Sequence, residues 1–217
     1  MPAVFDILPT FSESPYSYII VPIILVISIV GFYYKPVFHA LLLHPYEICR
    51  GKRLHTLLTS ALIHRNWVHL LINALLIFGL LFDLFGVLKV EKGPILAYGL
   101  SLSLLLSFII IPNLFLTYSY KDDFSYTAVG ASGLTFALYG FSAMFFPLEH
   151  MSSLLIKAIK NSGHYWLYFF VIIFVLSFIK SLSINRKLHL VAFLFGSICV
   201  FLVRPSAFAE FLKCFIY

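Results

Sequence analysis

The chain has 217 residues, 61% of them hydrophobic and only 11% charged, with a mean hydropathy of +0.99. Soluble domains carry about a quarter charged residues, so this composition excludes an ordinary soluble protein and indicates a polytopic membrane protein. The net charge of +6 reads as loop charge beside anionic headgroups and not as a nucleic-acid surface, because no basic face with interleaved aromatics stands on a soluble domain.

Residues 1–15 form an amino-terminal tail holding Asp6 and Glu13 but no basic cluster, so a cleavable signal peptide is not expected. Cys49, Cys199 and Cys214 are far apart, without a CxxC pair or other metal-ligand spacing. Runs of about 20 apolar residues predict six spans: Tyr16 to Tyr34, Leu57 to Phe85, Pro94 to Leu116, Ala128 to Phe146, Tyr165 to Leu182, and Leu188 to Val203. The runs are continuous rather than alternating, so they read as helices, since lipid admits only helices or closed barrels. The expected fold is an all-α membrane protein, one bundle of six transmembrane helices over residues 16–203, followed by a tail at 204–217.

The connection from Lys35 to about Thr56 mixes aromatics, leucines and bases between prolines. It suits a segment lying in the headgroup interface, and equally an ordinary solvated loop. Pro147 to Gly163, with Leu154, Leu155 and Ile156 beside Lys157 and Lys160, is a second interfacial candidate.

The second span carries His64, Arg65, Asn66, His69 and Asn73. Charged groups inside a span cost about 2.5 to 3.5 kcal/mol each on insertion scales, so polar clusters there face a cavity or the bundle interior and mark function. His69 and Asn73, at i and i+4, share a face, whereas His64 is expected about 140° round from His69 if one helix carries both.

The fourth span opens with Gly130-Ala131-Ser132-Gly133. A serine between glycines at the mouth of an apolar helix is a candidate nucleophile, although small residues at helical spacing also serve plain helix packing. Gly133, Ala137 and Gly140 make one small-residue stripe, and His189, Ala192 and Gly196 make another in the sixth span. Two such stripes allow close backbone approach, which would bring Ser132 and His189 within hydrogen-bond reach. Ser132, His69 and His189 each lie near the start of an even-numbered span, so all three reach the membrane from one side.

A neutral serine hydroxyl needs a base to take its proton, and imidazole titrates near neutral pH. Asp83 is toward the far end of its span and Asp122 and Asp123 are in a loop, so the expected unit is a dyad of Ser132 and His189. Donors for a tetrahedral oxyanion are available from His69, the amide of Asn73 and the backbone N–H of Ser132. A metal site built from His64, His69 and His189 is the poorer reading, because His-x4-His is not the zinc-protease spacing and no carboxylate stands nearby. No metal or other cofactor is expected.

As a set, His64-x4-His69-x3-Asn73, Gly130-Ala131-Ser132-Gly133, and His189 followed by Ala192 and Gly196 resemble the rhomboid intramembrane serine proteases. The resemblance covers roughly Tyr16 to Val203. It implies that Ser132 is the nucleophile and His189 the general base, with His69, Asn73 and the Ser132 amide around the oxyanion. His64, Gly130, Gly133, Phe136, Ala192 and Gly196 would support them. Phe136 stands where family members often have tyrosine, and Ala192 where they commonly have glycine. The family's Trp-Arg pair in the first loop is missing, with Cys49-Arg50 and Lys52-Arg53 its nearest substitutes.

The resemblance further implies single-span membrane protein substrates, cut near the bilayer boundary beside a small residue in a helix-destabilising stretch. Water would reach the site through a polar cavity rimmed by His64, His69 and Asn73. Lateral entry is expected beside the fifth span, with Trp166, Tyr168, Phe169 and Phe170 as the gate. A catalytically silent rhomboid-like protein that binds membrane clients is the alternative. By the positive-inside rule, Lys35, Arg50, Lys52, Arg53, Lys121, Lys180, Arg186 and Lys187 put the active-site side toward the cytoplasm. The resemblance implies an outward-facing site in the plasma membrane, and that is the expectation adopted.

Overall fold

A computed structural model describes residues 8–151, 159–178 and 185–216. Among them the regular structure is helical: α1 (Pro15–Tyr33), α2 (Lys35–Leu41), α3 (Pro45–Ile48), α4 (Thr56–Thr59), α5 (Trp67–Lys92), α6 (Pro94–Ser119), α7 (Ser132–Phe145), α8 (Ser162–Phe178), α9 (Arg186–Val203) and α10 (Ser206–Lys213). Helices α1, α5, α6 and α9 are long and apolar enough to cross a membrane, while α7 and α8 are apolar but shorter. The chain divides into two compact units, residues 1–131 and 132–217.

In the first unit α5 packs between α1 and α6. Proline opens α1 and α6, where a missing N–H costs nothing and the fixed φ suits the first helical turn. Between α5 and α6 the chain reverses at Gly93, whose φ of +81° strains any residue with a side chain. Ile24, Leu70, Ile77, Leu81, Leu84 and Phe85 are buried at the seam. Buried serines tie the helices together by their hydroxyls: Ser17 donates to the Phe78 carbonyl at 2.7 Å and Ser28 to the Leu62 carbonyl at 2.8 Å.

The second expected span is corrected at its start. Asn66 caps α5, its side-chain oxygen accepting from the His69 amide at 2.9 Å, so the crossing helix begins at Trp67 and runs on to Lys92. Residues 57–66 instead complete α4, make a 3-10 turn at Ser60–Leu62 and then extend. An Asn cap satisfies an orphan N–H of the first turn, and this local bond outweighs the apolar run before it.

The second unit is built on α7 and α9, which lie side by side. α7 begins four residues later than its span was expected to. Ala128 is extended and exchanges two backbone hydrogen bonds with Leu43, at 2.9 and 3.1 Å, and Gly130 has φ +112°. Helix therefore cannot start before Ser132. α8 packs on both neighbours.

Two expectations fall partly beyond the described residues. Leu154, Leu155, Ile156 and Lys157 of the second interfacial piece lie there, as do Lys180 and the end of the fifth span at Leu182. The described part of the tail expected at 204–217 holds α10 and a closing turn.

Candidate active site

The first unit holds the histidine pair and the residues that lead up to Ser132. His64 is fully buried, and both its ring nitrogens are engaged: Nδ1 meets Ser28 Oγ at 2.9 Å, and Nε2 lies 3.2 Å from the Ala131 N–H. The Ala131 N–H can only donate, so Nε2 accepts. The Ser28 hydroxyl proton goes to the Leu62 carbonyl, so Nδ1 carries the hydrogen and His64 is held neutral, a tautomer assigned from its partners. The His64 and His69 rings meet edge to face with 4.9 Å between centroids. The expectation that they point apart presumed one continuous helix, and it fails because His64 precedes the Asn66 cap.

His69 is half-buried and Asn73 buried one turn below it. The Asn73 amide donates to the His69 carbonyl at 2.8 Å, which fixes the side chain against its own helix. Gly130 closes over His69: a Cβ there would come within 2.5 Å of the imidazole Cε1 and 3.0 Å of Nε2. Glycine is needed both for that approach and for the positive φ.

Residues 128–131 are pinned along their length. Besides the pairing of Ala128 with Leu43, the Gly130 N–H donates to the Ser60 carbonyl at 2.9 Å and the Ala131 N–H to His64. Asn113 of α6 in turn donates to the Leu57 carbonyl at 2.8 Å and to Ser60 Oγ at 3.1 Å. Upstream, the Ser125 hydroxyl and amide bind the Asp123 carboxylate and hold it below the usual carboxylate range. Arg53 orders the first loop. Its guanidinium donates to the carbonyls of His39, Ala40 and Leu42 at the end of α2, and it pairs with Glu47 at 3.5 Å. Arg50 instead lies over the Tyr46 ring, 3.4 Å from its centroid.

The second unit holds the proposed dyad residues. Ser132 is the first residue of α7 and His189 lies in the first turn of α9, both half-buried. Phe136, one turn after Ser132, stacks on the His189 ring at 4.1 Å and 12° from parallel. Below this contact the small-residue stripes meet. A Cβ on Gly196 would lie 1.9 Å from the Ala137 carbonyl oxygen, and one on Gly140 would lie 2.0 Å from that of Phe193. Gly133 and Ala192 are buried in the same unit.

Ser197, next to Gly196, was not singled out by sequence. Its hydroxyl reaches the carbonyls of Phe193 and Gly140, at 2.9 and 3.2 Å, and accepts from the Trp166 indole N–H at 2.8 Å. The amino-terminal half of α8 is thus tied down: the Tyr139 and Tyr165 hydroxyls meet at 2.5 Å and Phe169 stacks on Tyr139. Tyr168, Val171, Phe174 and Val175 are exposed. The signals for Ser28 and Ser197 were lone hydroxyls in apolar runs, where each must find a partner.

Among the described residues no three histidine, cysteine or acidic side chains are grouped to hold a metal ion. A family model described as Rhomboid domain matches residues 51–206, which is most of the chain. Comparison with curated proteins gives no match.

Proposed function

The chain belongs to the rhomboid family, and we propose that it is an intramembrane serine endopeptidase that cleaves single-span membrane proteins near the bilayer boundary. The observation that carries this reading is the flat seating of the His189 imidazole on Phe136, one turn from Ser132, on two helices whose backbones touch. In the reaction, His189 takes the hydroxyl proton as Ser132 Oγ attacks the scissile carbonyl carbon. His189 then gives that proton to the leaving amine nitrogen as the C–N bond breaks. Water attacks the resulting ester, His189 accepts its proton, and the serine oxygen leaves with that proton restored. His69, the Asn73 amide and the Ser132 N–H would stabilise the oxyanion of both tetrahedral intermediates.

The length of α7 supports a recessed site within a six-helix core over residues 16–203. Fourteen residues rise about 21 Å, short of a hydrocarbon core about 30 Å thick, so a helix anchored at one surface starts below the other. A helical peptide bond is shielded by its own turn and must unwind before a hydroxyl can reach it, which selects helix-destabilising segments. Substrate would enter beside α8. Its fixed end at Trp166 and its exposed side chains Val171, Phe174, Val175, Leu176 and Phe178 suit a gate that moves at the carboxyl-terminal half. We place the enzyme in the plasma membrane with the active site on the outer side.

The test is to reconstitute the full chain in vesicles with a generic single-span substrate. Cleavage that disappears in Ser132→Ala, with substrate still captured, supports the protease. Capture without cleavage by the unmodified chain, unchanged in Ser132→Ala, supports the silent client-binding reading.

A further inference from the structure

The helix that follows the last crossing divides its surface into three sectors. Ala207, Phe211 and Cys214, at i, i+4 and i+7, face the protein: Ala207 and Cys214 are buried, and Phe211 meets the Trp166 ring edge-on at 5.1 Å. Phe208, Leu212 and Phe215 follow the same spacing one position on, and with Ile216 they are 46% to 72% exposed. Ala209 and Lys213 are exposed on the remaining side. A soluble tail has no reason to keep four large apolar side chains in one exposed row.

Continuity with the crossing helix says what covers that row. α9 is apolar enough to cross the bilayer and ends at Val203, so α10 starts at the boundary where α9 emerges. Ile198 and Leu202, exposed by 55% and 80% on the last turns of α9, lead into it, and Phe201 packs edge-on against Phe208 at 5.5 Å. The attachment is rigid. Arg204 makes a bidentate pair with Glu210, at 2.6 and 2.9 Å, and donates to the Phe145 carbonyl at the end of α7. The Cys214 carbonyl accepts from His164 Nε2 at the start of α8, and its thiol donates to the Pro147 carbonyl.

We propose that α10 and the turn that closes it lie in the membrane interface, their row of Phe208, Leu212, Phe215 and Ile216 set into the boundary between headgroups and acyl chains while Ala209 and Lys213 face water. A helix with a protein side, a lipid side and a water side is what the edge of a membrane protein requires at that depth. So seated, α10 fixes the depth of the adjoining ends of α7, α8 and α9. The inference rests on the chain being an integral membrane protein and is independent of any proteolysis.

The experiment places a nitroxide on single cysteines in the full chain, in vesicles of phosphatidylcholine and phosphatidylglycerol. The changes are Phe208→Cys, Leu212→Cys, Ala209→Cys and Lys213→Cys, each with the exposed Cys49 changed to serine. All four side chains are exposed, so the label displaces no core packing. Oxygen, which concentrates in lipid, should relax the labels at 208 and 212 more than a water-soluble nickel chelate does, with the order reversed at 209 and 213. Nickel dominating at all four positions would overturn the proposal in favour of a solvated tail. Exclusion of both reagents at 208 and 212, with dipolar broadening between labels, would overturn it in favour of a second copy of the chain on that face.

Discussion

The Phe136 and His189 rings lie parallel to within 12°, with 4.1 Å between centroids. Stacked aromatic pairs are worth about 0.5–1.5 kcal/mol beyond their buried area, enough to hold an imidazole in one orientation. Phe136→Ala should therefore lower turnover by roughly two- to thirteenfold, each 1.36 kcal/mol being tenfold in rate. Phe136→Tyr, which keeps the ring, should remain within about twofold on the same scale. Steady-state cleavage rates of the two variants check this, and equal rates for both would remove the ring from any positioning role.

Gly130 leaves no room above His69. A Cβ would lie 2.5 Å from the imidazole Cε1, on a residue whose φ is +112°, so Gly130→Ala must displace both the loop and the ring. If His69 serves the oxyanion, cleavage should fall by about 10²–10³-fold, the usual loss for one donor. Cleavage assays in detergent decide it. Unimpaired cleavage by Gly130→Ala would show that the placement of His69 is irrelevant to the chemistry.

His64 has a structural duty that no bulky apolar residue can replace. His64→Ala removes the acceptor that Nε2 offers the Ala131 N–H and the donor that Nδ1 offers Ser28 Oγ, whose own proton stays on the Leu62 carbonyl, and should cost about 1–3 kcal/mol of stability. His64→Gln offers an acceptor and a donor and should recover part of it. Thermal unfolding midpoints in detergent give the ranking, and an alanine variant as stable as the parent would contradict the hydrogen-bond assignment.

The contact between α7 and α9 tolerates no added methyl. Gly196→Ala puts a Cβ 1.9 Å from the Ala137 oxygen and should destabilise by about 1–3 kcal/mol, as overpacked cores do. Gly79 and Gly99 have nothing within 4 Å, so alanine there should be neutral or stabilising by up to about 1 kcal/mol from helix propensity. Unfolding curves of the three variants test the contrast.

Residue identity revealed more of this site than periodicity did. The apolar runs located the four helices long and apolar enough to cross a membrane and the two shorter apolar helices α7 and α8, and Ser132 opens α7 while His189 lies in the first turn of α9. What the pattern hid were local polar bonds. The Asn66 cap moved the start of α5 to Trp67 and swung His64 against His69, and Gly130 with the Leu43 pairing shortened α7. A hydropathy window weighs side chains by transfer energy and carries no information about which backbone N–H each one satisfies. For the same reason Arg53, placed between Lys52 and Leu54, gave no hint that it holds three carbonyls of the α2 end. The short helix within the carboxyl-terminal tail did not stand out because eight residues are too few to register as a span, although their three-sided pattern was present.

The central claim is that His189 activates Ser132. Its most direct test is to treat the reconstituted chain with a fluorophosphonate, which phosphonylates only serines with an activated hydroxyl, and to locate the adduct by mass spectrometry. Modification of the peptide containing Ser132 in the unmodified chain, lost in both Ser132→Ala and His189→Ala while each variant keeps its unfolding midpoint, is the predicted result. Undiminished labelling of Ser132 in His189→Ala would contradict it.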